Sequence, residues 1–180
     1  MRQMLVVIDY QVDFVSGALG FAGAELPDGD IAALVHKSAA RGDYVVYTMD
    51  THEADYLSTR EGKALPVEHC VDGSAGWALY GETAVALGKV GAIELKKATF
   101  GVAPGDMLGL PDDVEQIALV GLVSNICVVS NACVFQARYP QAQVVVVSDL
   151  CVSFDPGLHE KTMDVLAGLQ VAVVDKRSVL

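Results

Sequence analysis

Residues 4–8 are apolar without interruption and end at Asp9. A run with no polar alternation suits a parallel strand buried on both faces, and this constrains the fold more than any other feature of the chain. A second buried strand is expected over 44–49, ending at Asp50, and shorter strands over 92–95, 117–120, 144–147 and 171–174. Helical spacing lies between them. Ile31, Leu34, Val35 and Ser38 mark a helix over 31–41, with Asp28 or Asp30 as its cap and Gly42 as its stop. Residues 77–86 and 157–167 read as further helices, and another starts at Ser124 or Asn125 and runs past Phe135 to Ala137. Strands alternating with helices imply a three-layer α/β/α domain on a mostly parallel, Rossmann-like sheet of six strands. Ligands bind such sheets at the carboxyl ends of the strands, and Asp9, Asp50, Lys97, Cys127 and Asp149 fall there.

The remaining bounds come from composition. A chain of 180 residues that is 52% apolar reads as one globular domain over 1–180. No apolar run reaches the ~20 residues of a membrane helix, and Asp9 comes too early for a signal peptide, so a cytoplasmic location is expected. The net charge of −11, with no basic cluster, argues against nucleic acid or membrane partners. The four cysteines form no C-x-x-C pair and read as free thiols. Gly17, Gly20 and Gly23 are evenly spaced, and no G-x-G-x-x-G follows the first strand, so no nucleotide cofactor is expected.

Two groups of residues can carry chemistry. Cys127 would sit in a first helical turn, where unpaired N–H groups and the helix dipole lower a thiol's pKa and receive an oxyanion. It could equally be a small buried apolar residue at a strand–helix junction. Asp9 could take its proton and Lys97 could hold the carboxylate charge, with Lys96 competing for that place. The second group is Asp50, His52, Glu61 and His69, spread over a long segment, 51–76, without periodicity. Carboxylates and imidazoles suit zinc, iron or manganese, and a surface loop with scattered polar residues is the alternative. Cys70 adjoins His69, and neighbours in an extended loop usually point apart. His36 and His159 fall on predicted helices, where surface or satisfied histidines are expected.

Five stretches together resemble the isochorismatase-like cysteine hydrolases, and within them the nicotinamidases. They are 7–14 (Val-Ile-Asp-Tyr-Gln-Val-Asp-Phe), 50–53 (Asp-Thr-His-Glu), 65–77 around Glu68-His69-Cys70, 97–101 (Lys-Ala-Thr-Phe-Gly) and 121–128 around Cys127. They occur in the family's order over almost the whole chain. The resemblance implies six parallel strands, a catalytic triad of Asp9, Lys97 and Cys127, and a cis peptide between Leu122 and Val123. It also implies an oxyanion hole from the backbone N–H groups of Val123 and Cys127. It further implies one divalent metal, zinc first and iron or manganese next, on Asp50, His52, Glu61 and His69. Phe14 and Leu65 would line the substrate pocket; nicotinamidases often carry Trp in place of Leu65. Where many of them have Asp and His in the nucleophile helix, Asn125 and Ile126 stand here. The expected activity is hydrolysis of a small amide, nicotinamide first, in NAD salvage, by a homo-oligomer. Alternatives are an isochorismatase or a carbamoyl or other small-amide hydrolase of the same fold. A different class is an inactive binding or scaffold protein.

Overall fold

The computed structural model describes residues 2–179. Strand β1 (Gln3–Ile8) leads through the one-turn helix α1 (Val12–Val15) and α2 (Asp28–Arg41) to β2 (Tyr44–Asp50). Helices α3 (Arg60–Ala64) and α4 (Gly81–Val90) precede β3 (Ile93–Lys97). The second half alternates strictly: β4 (Gln116–Leu122), α5 (Val129–Arg138), β5 (Gln143–Val152), α6 (Pro156–Gly168) and β6 (Ala172–Val174). The strands are all parallel, in the order β3-β2-β1-β4-β5-β6. The chain thus builds outward from β1 to β3, then restarts on the other side of β1 at β4. Crossovers diverge at that point and open a crevice beyond the carboxyl ends of β1 and β4, where α/β sheets of this kind bind ligands.

Period-two alternation along β1 explains the two cores. Met4, Val6 and Ile8 pack with Phe135 of α5 and Leu166 of α6, whereas Leu5 and Val7 pack with Ile31 and Leu34 of α2 and Leu87 of α4. Both faces are covered, which is why the run at 4–8 has no polar side. Among the described residues no helix is long and apolar enough to cross a membrane.

Three local expectations are corrected. Asp28 does not cap α2, whose N-cap position is Pro27; its carboxylate accepts from the backbone N–H groups of Glu82 and Thr83 and caps α4 instead. That helix begins at Gly81 rather than Trp77, whose indole N–H donates to Thr51 Oγ1 at 3.0 Å. Asp149 does not close a strand at the crevice, because β5 shifts register opposite β4 and continues to Val152. Asp149 is exposed and accepts from the backbone N–H of Lys176.

Gly121 of β4 is paired with Ile8 of β1. Its φ is +118°, and a Cβ there would lie 2.1 Å from the carbonyl oxygen of Ile8. Only glycine fits that approach. Gly88 in α4 has open space around it. We therefore expect Gly121→Ala to lower stability by about 3 kcal/mol or more and Gly88→Ala to raise it by about 0.5–1 kcal/mol, read by urea unfolding. A loss under about 1 kcal/mol at Gly121 would contradict this packing.

Candidate active site

Asp50 and Lys97 close neighbouring strands and are paired in the β2–β3 register. Both side chains are out of water, so the cation must be matched by anions. Lys97 Nζ lies 2.7 Å from Asp9 Oδ2 and 3.1 Å from Asp50 Oδ1, and donates to the carbonyl of Thr99 at 3.0 Å. Burial alone would lower the pKa of this ammonium, but the charges of Asp9, Cys127 and Asp50 drive it up, and it stays a cation. Lys96 points the other way, onto Asp72 at 3.1 Å and over the Trp77 ring at 4.5 Å. The structure thus separates the two lysines: Lys97 reaches Asp9 and Cys127.

Two residues to which the sequence assigns no role hold the Asp9 carboxylate and the Asp50 backbone. Thr48 donates to Asp9 Oδ1 at 2.6 Å and accepts from the Asp9 N–H at 3.1 Å. Gln11, fully buried, clamps the backbone of Asp50 in both directions, donating to its carbonyl at 2.9 Å and accepting from its N–H at 2.8 Å. Each is a polar residue next to an apolar stretch, and that was the only available signal.

Cys127 lies in a single π-helical turn, Ser124–Val128, that joins β4 to α5. The Leu122–Val123 peptide before it is cis. The sulfur is 3.8 Å from Lys97 Nζ. Asn131, four residues on and fully buried, donates to the carbonyls of Cys127 and Phe100 and accepts from the Val102 N–H, which ties the turn to the loop after β3. Ser124 and Asn125 do not cap the helix. Ser124 Oγ is 3.0 Å from His159 Nδ1, and Asn125 Oδ1 accepts from Ser153 Oγ at 2.6 Å. His159 is thereby satisfied, and His36 is exposed.

The thiol is not acidified as a helix N-terminus would suggest. Burial pushes its pKa well up, the Asp9 charge pushes the same way, and Lys97 only partly opposes them. Burial also raises the carboxyl of Asp9 against the pull of Lys97, which makes Asp9 a stronger base than a solvated aspartate. The resting arrangement is a thiol beside a basic carboxylate.

Asp50 has a second role. Its Oδ2 lies 3.0 Å from His52 Nε2 and 3.4 Å from His69 Nε2, and the candidate ligand atoms of these three buried residues lie within 4.8 Å of one another. Such spacings fit donors sharing one ion at about 2.0–2.2 Å. His69 Nδ1 is 2.8 Å from the carbonyl of Val67, which fixes its proton there and leaves Nε2 facing Asp50. The donor set therefore fits a divalent metal. Glu61 stands further off, with Oε1 3.9 Å from His52 Nε2. The segment 51–76 is fastened by hydrogen bonds from the His52 N–H to Cys70 O and from the Asp72 N–H to His52 O. Cys70 is buried in the core rather than turned to the histidines; burial raises its thiol pKa.

Beside both groups is a cavity of about 290 Å³ lined by Phe14, Leu65, Asp50, Glu61, His69 and Cys127, closed further by Phe100, Ile126 and Phe154. Phe14 meets the His69 ring edge-on at 5.6 Å. The sequence assigns Phe100, Ile126 and Phe154 no place in the pocket, because Phe100 and Phe154 come from the loops after β3 and β5 and Ile126 from the π-helical turn.

A family model of the isochorismatase domain matches residues 3–178. The nicotinamidase/pyrazinamidase PncA of Bacillus subtilis superposes with a TM-score of 0.86 at 27% identity, over 97% of this chain and 100% of that one. Pyrazinamidase of Pyrococcus horikoshii, solved in complex with zinc, shares the fold with a TM-score of 0.79 at 20% identity, over 97% and 99% of the two chains. N-carbamoylsarcosine amidase of Thermoplasma acidophilum shares it with a TM-score of 0.77 at 23% identity, over 98% and 97%. Among curated proteins none matches.

The two lysines make a direct comparison. Lys97→Ala leaves two buried carboxylates without their cation and is expected to cost about 3–5 kcal/mol. Lys96→Ala removes an exposed pair and a cation–π contact, at about 1 kcal/mol or less. Equal losses in denaturant unfolding would overturn the assignment of the buried cation.

Proposed function

The chain belongs to the isochorismatase family, and from that premise we propose that it is a metal-containing cysteine amidohydrolase that converts nicotinamide to nicotinate and ammonia. One observation carries the reading: Asp9, Lys97 and Cys127 converge beside an apolar cavity that also receives Asp50 and His69 of the Asp50–His52–His69 cluster, with Asp50 common to both groups.

Asp9 takes the proton of the Cys127 thiol, and the sulfur attacks the amide carbon. The backbone N–H groups of Val123 and Cys127 hold the oxyanion that forms. Asp9 returns the proton to the nitrogen, the C–N bond breaks, ammonia leaves, and a thioester remains on Cys127. Water then gives a proton to Asp9 and its oxygen attacks the thioester, which releases the acid and restores the thiol. Lys97 stays a cation throughout and keeps Asp9 from holding the proton too tightly. Asp50, His52 and His69, with Glu61 as a fourth ligand, hold the metal; the donor set and the zinc-bound relative favour zinc. When bound, the ion supplies a Lewis-acid anchor for a ring nitrogen and polarises water. Phe14 and Leu65 hold the ring.

Charge bears on the alternatives. Among the described residues no Lys or Arg lines the cavity. Isochorismate and N-carbamoylsarcosine carry carboxylates, and no side-chain cation of the cavity wall would pair with them. A scaffold gains nothing from ionisable groups held out of water, since burying them costs stability.

The test is ammonia release from nicotinamide, pyrazinamide and N-carbamoylsarcosine, with isochorismate consumption alongside, by protein purified without chelator. Nicotinamide should be hydrolysed most efficiently, Cys127→Ala should lose about 10³-fold or more, and elemental analysis should find about one divalent metal per chain that His52→Ala releases. Preference for isochorismate, or full activity in the alanine variant, would overturn the reading.

A further inference from the structure

Neither the reacting groups nor the metal ligands define the substrate's outer half. The cavity has a burial gradient. Cys127, Asp50 and His69 are buried at its floor, with Phe14 and Val123 beside them. Its outer wall is apolar and open: Leu65 is 37%, Phe100 41% and Phe154 58% exposed, all lining the same space. Phe21 extends that wall by packing edge-on against Phe154, ring centroids 6.1 Å apart. Single exposed apolar side chains are ordinary, but a group of them around one cavity mouth is surface waiting to be covered.

Resting on the amide-hydrolase reading above, we propose that the preferred substrate is a primary aromatic carboxamide bearing an uncharged apolar substituent, and that Leu65, Phe100 and Phe154 select it. The ring's position gives the direction. With the carboxamide at Cys127 and a ring nitrogen toward the Asp50–His52–His69 cluster, C2 of a pyridine-3-carboxamide faces the floor. C5, opposite it, faces the mouth. A substituent at C5 meets the three exposed side chains, and no cation waits there for a charged one.

Hydrolysis of nicotinamide and its 5-methyl, 5-propyl and 5-carboxy derivatives by the metal-loaded protein tests this. We expect kcat/KM to rise by up to about fourfold per methylene, reaching about tenfold or more for the propyl compound, and to fall below that of nicotinamide for the carboxylate. In Phe154→Ser the propyl-to-nicotinamide ratio should drop toward one. A flat or falling series, with nicotinamide itself hydrolysed, overturns apolar selection and leaves the amide-hydrolase reading standing. If no amide is hydrolysed, that reading fails. The affinities of Cys127→Ser for the same compounds, by calorimetry, then decide the rim separately: tighter binding of the propyl derivative sustains it and equal affinities overturn it.

Discussion

One ammonium group, that of Lys97, makes the crevice possible. Asp9 and Asp50 end adjacent strands and would repel each other across a dry interface without it. With it, one carboxylate is free to face the thiol and the other to face two histidines. Asp50 uses one oxygen for each neighbour, Oδ1 toward Lys97 and Oδ2 toward His52 and His69. Burial would raise its carboxyl, but hydrogen bonds from the two imidazoles and the Lys97 charge hold it well below the usual carboxylate range. The two halves of the site are therefore electrically joined: a change in the Asp50–His52–His69 cluster is felt by the cation that tunes Asp9.

The fold and much of this site could be read from the sequence. The unbroken apolar run at 4–8 and the largely apolar stretch 44–49, broken only by Thr48, point to a doubly covered parallel sheet, and the first acid after each stretch then lies at its carboxyl edge. The register does the rest, since Asp50 and Lys97 are paired Cα partners and Ile8, just before Asp9, pairs with Gly121. What sequence could not decide was which of two adjacent lysines turns inward. Strand alternation sends Lys96 and Lys97 to opposite faces, and only three-dimensional placement says which face holds Asp9.

Other features were illegible for distinct physical reasons. Thr48, Gln11 and Asn131 act through hydrogen bonds to partners 39, 31 or 29 residues away, or to a local carbonyl, and polar residues of that kind look like ordinary strand and helix content. Asp28 stands where a cap of its own helix would stand, yet serves a helix that packs against it later in the chain. The thiol's acidity was misjudged because a local rule, the helix N-terminus, was applied to a residue whose environment is set by burial and a neighbouring carboxylate.

The central claim is that Cys127 carries the substrate as a thioester after Asp9 takes its proton. Acid-quenched intact-protein mass spectrometry during nicotinamide turnover tests it most directly, followed by peptide mapping. A mass increase of one acyl group, located on Cys127 and absent from Cys127→Ala, is the expected result. Turnover with no covalent adduct on any cysteine, or with the adduct on Cys133, would contradict it.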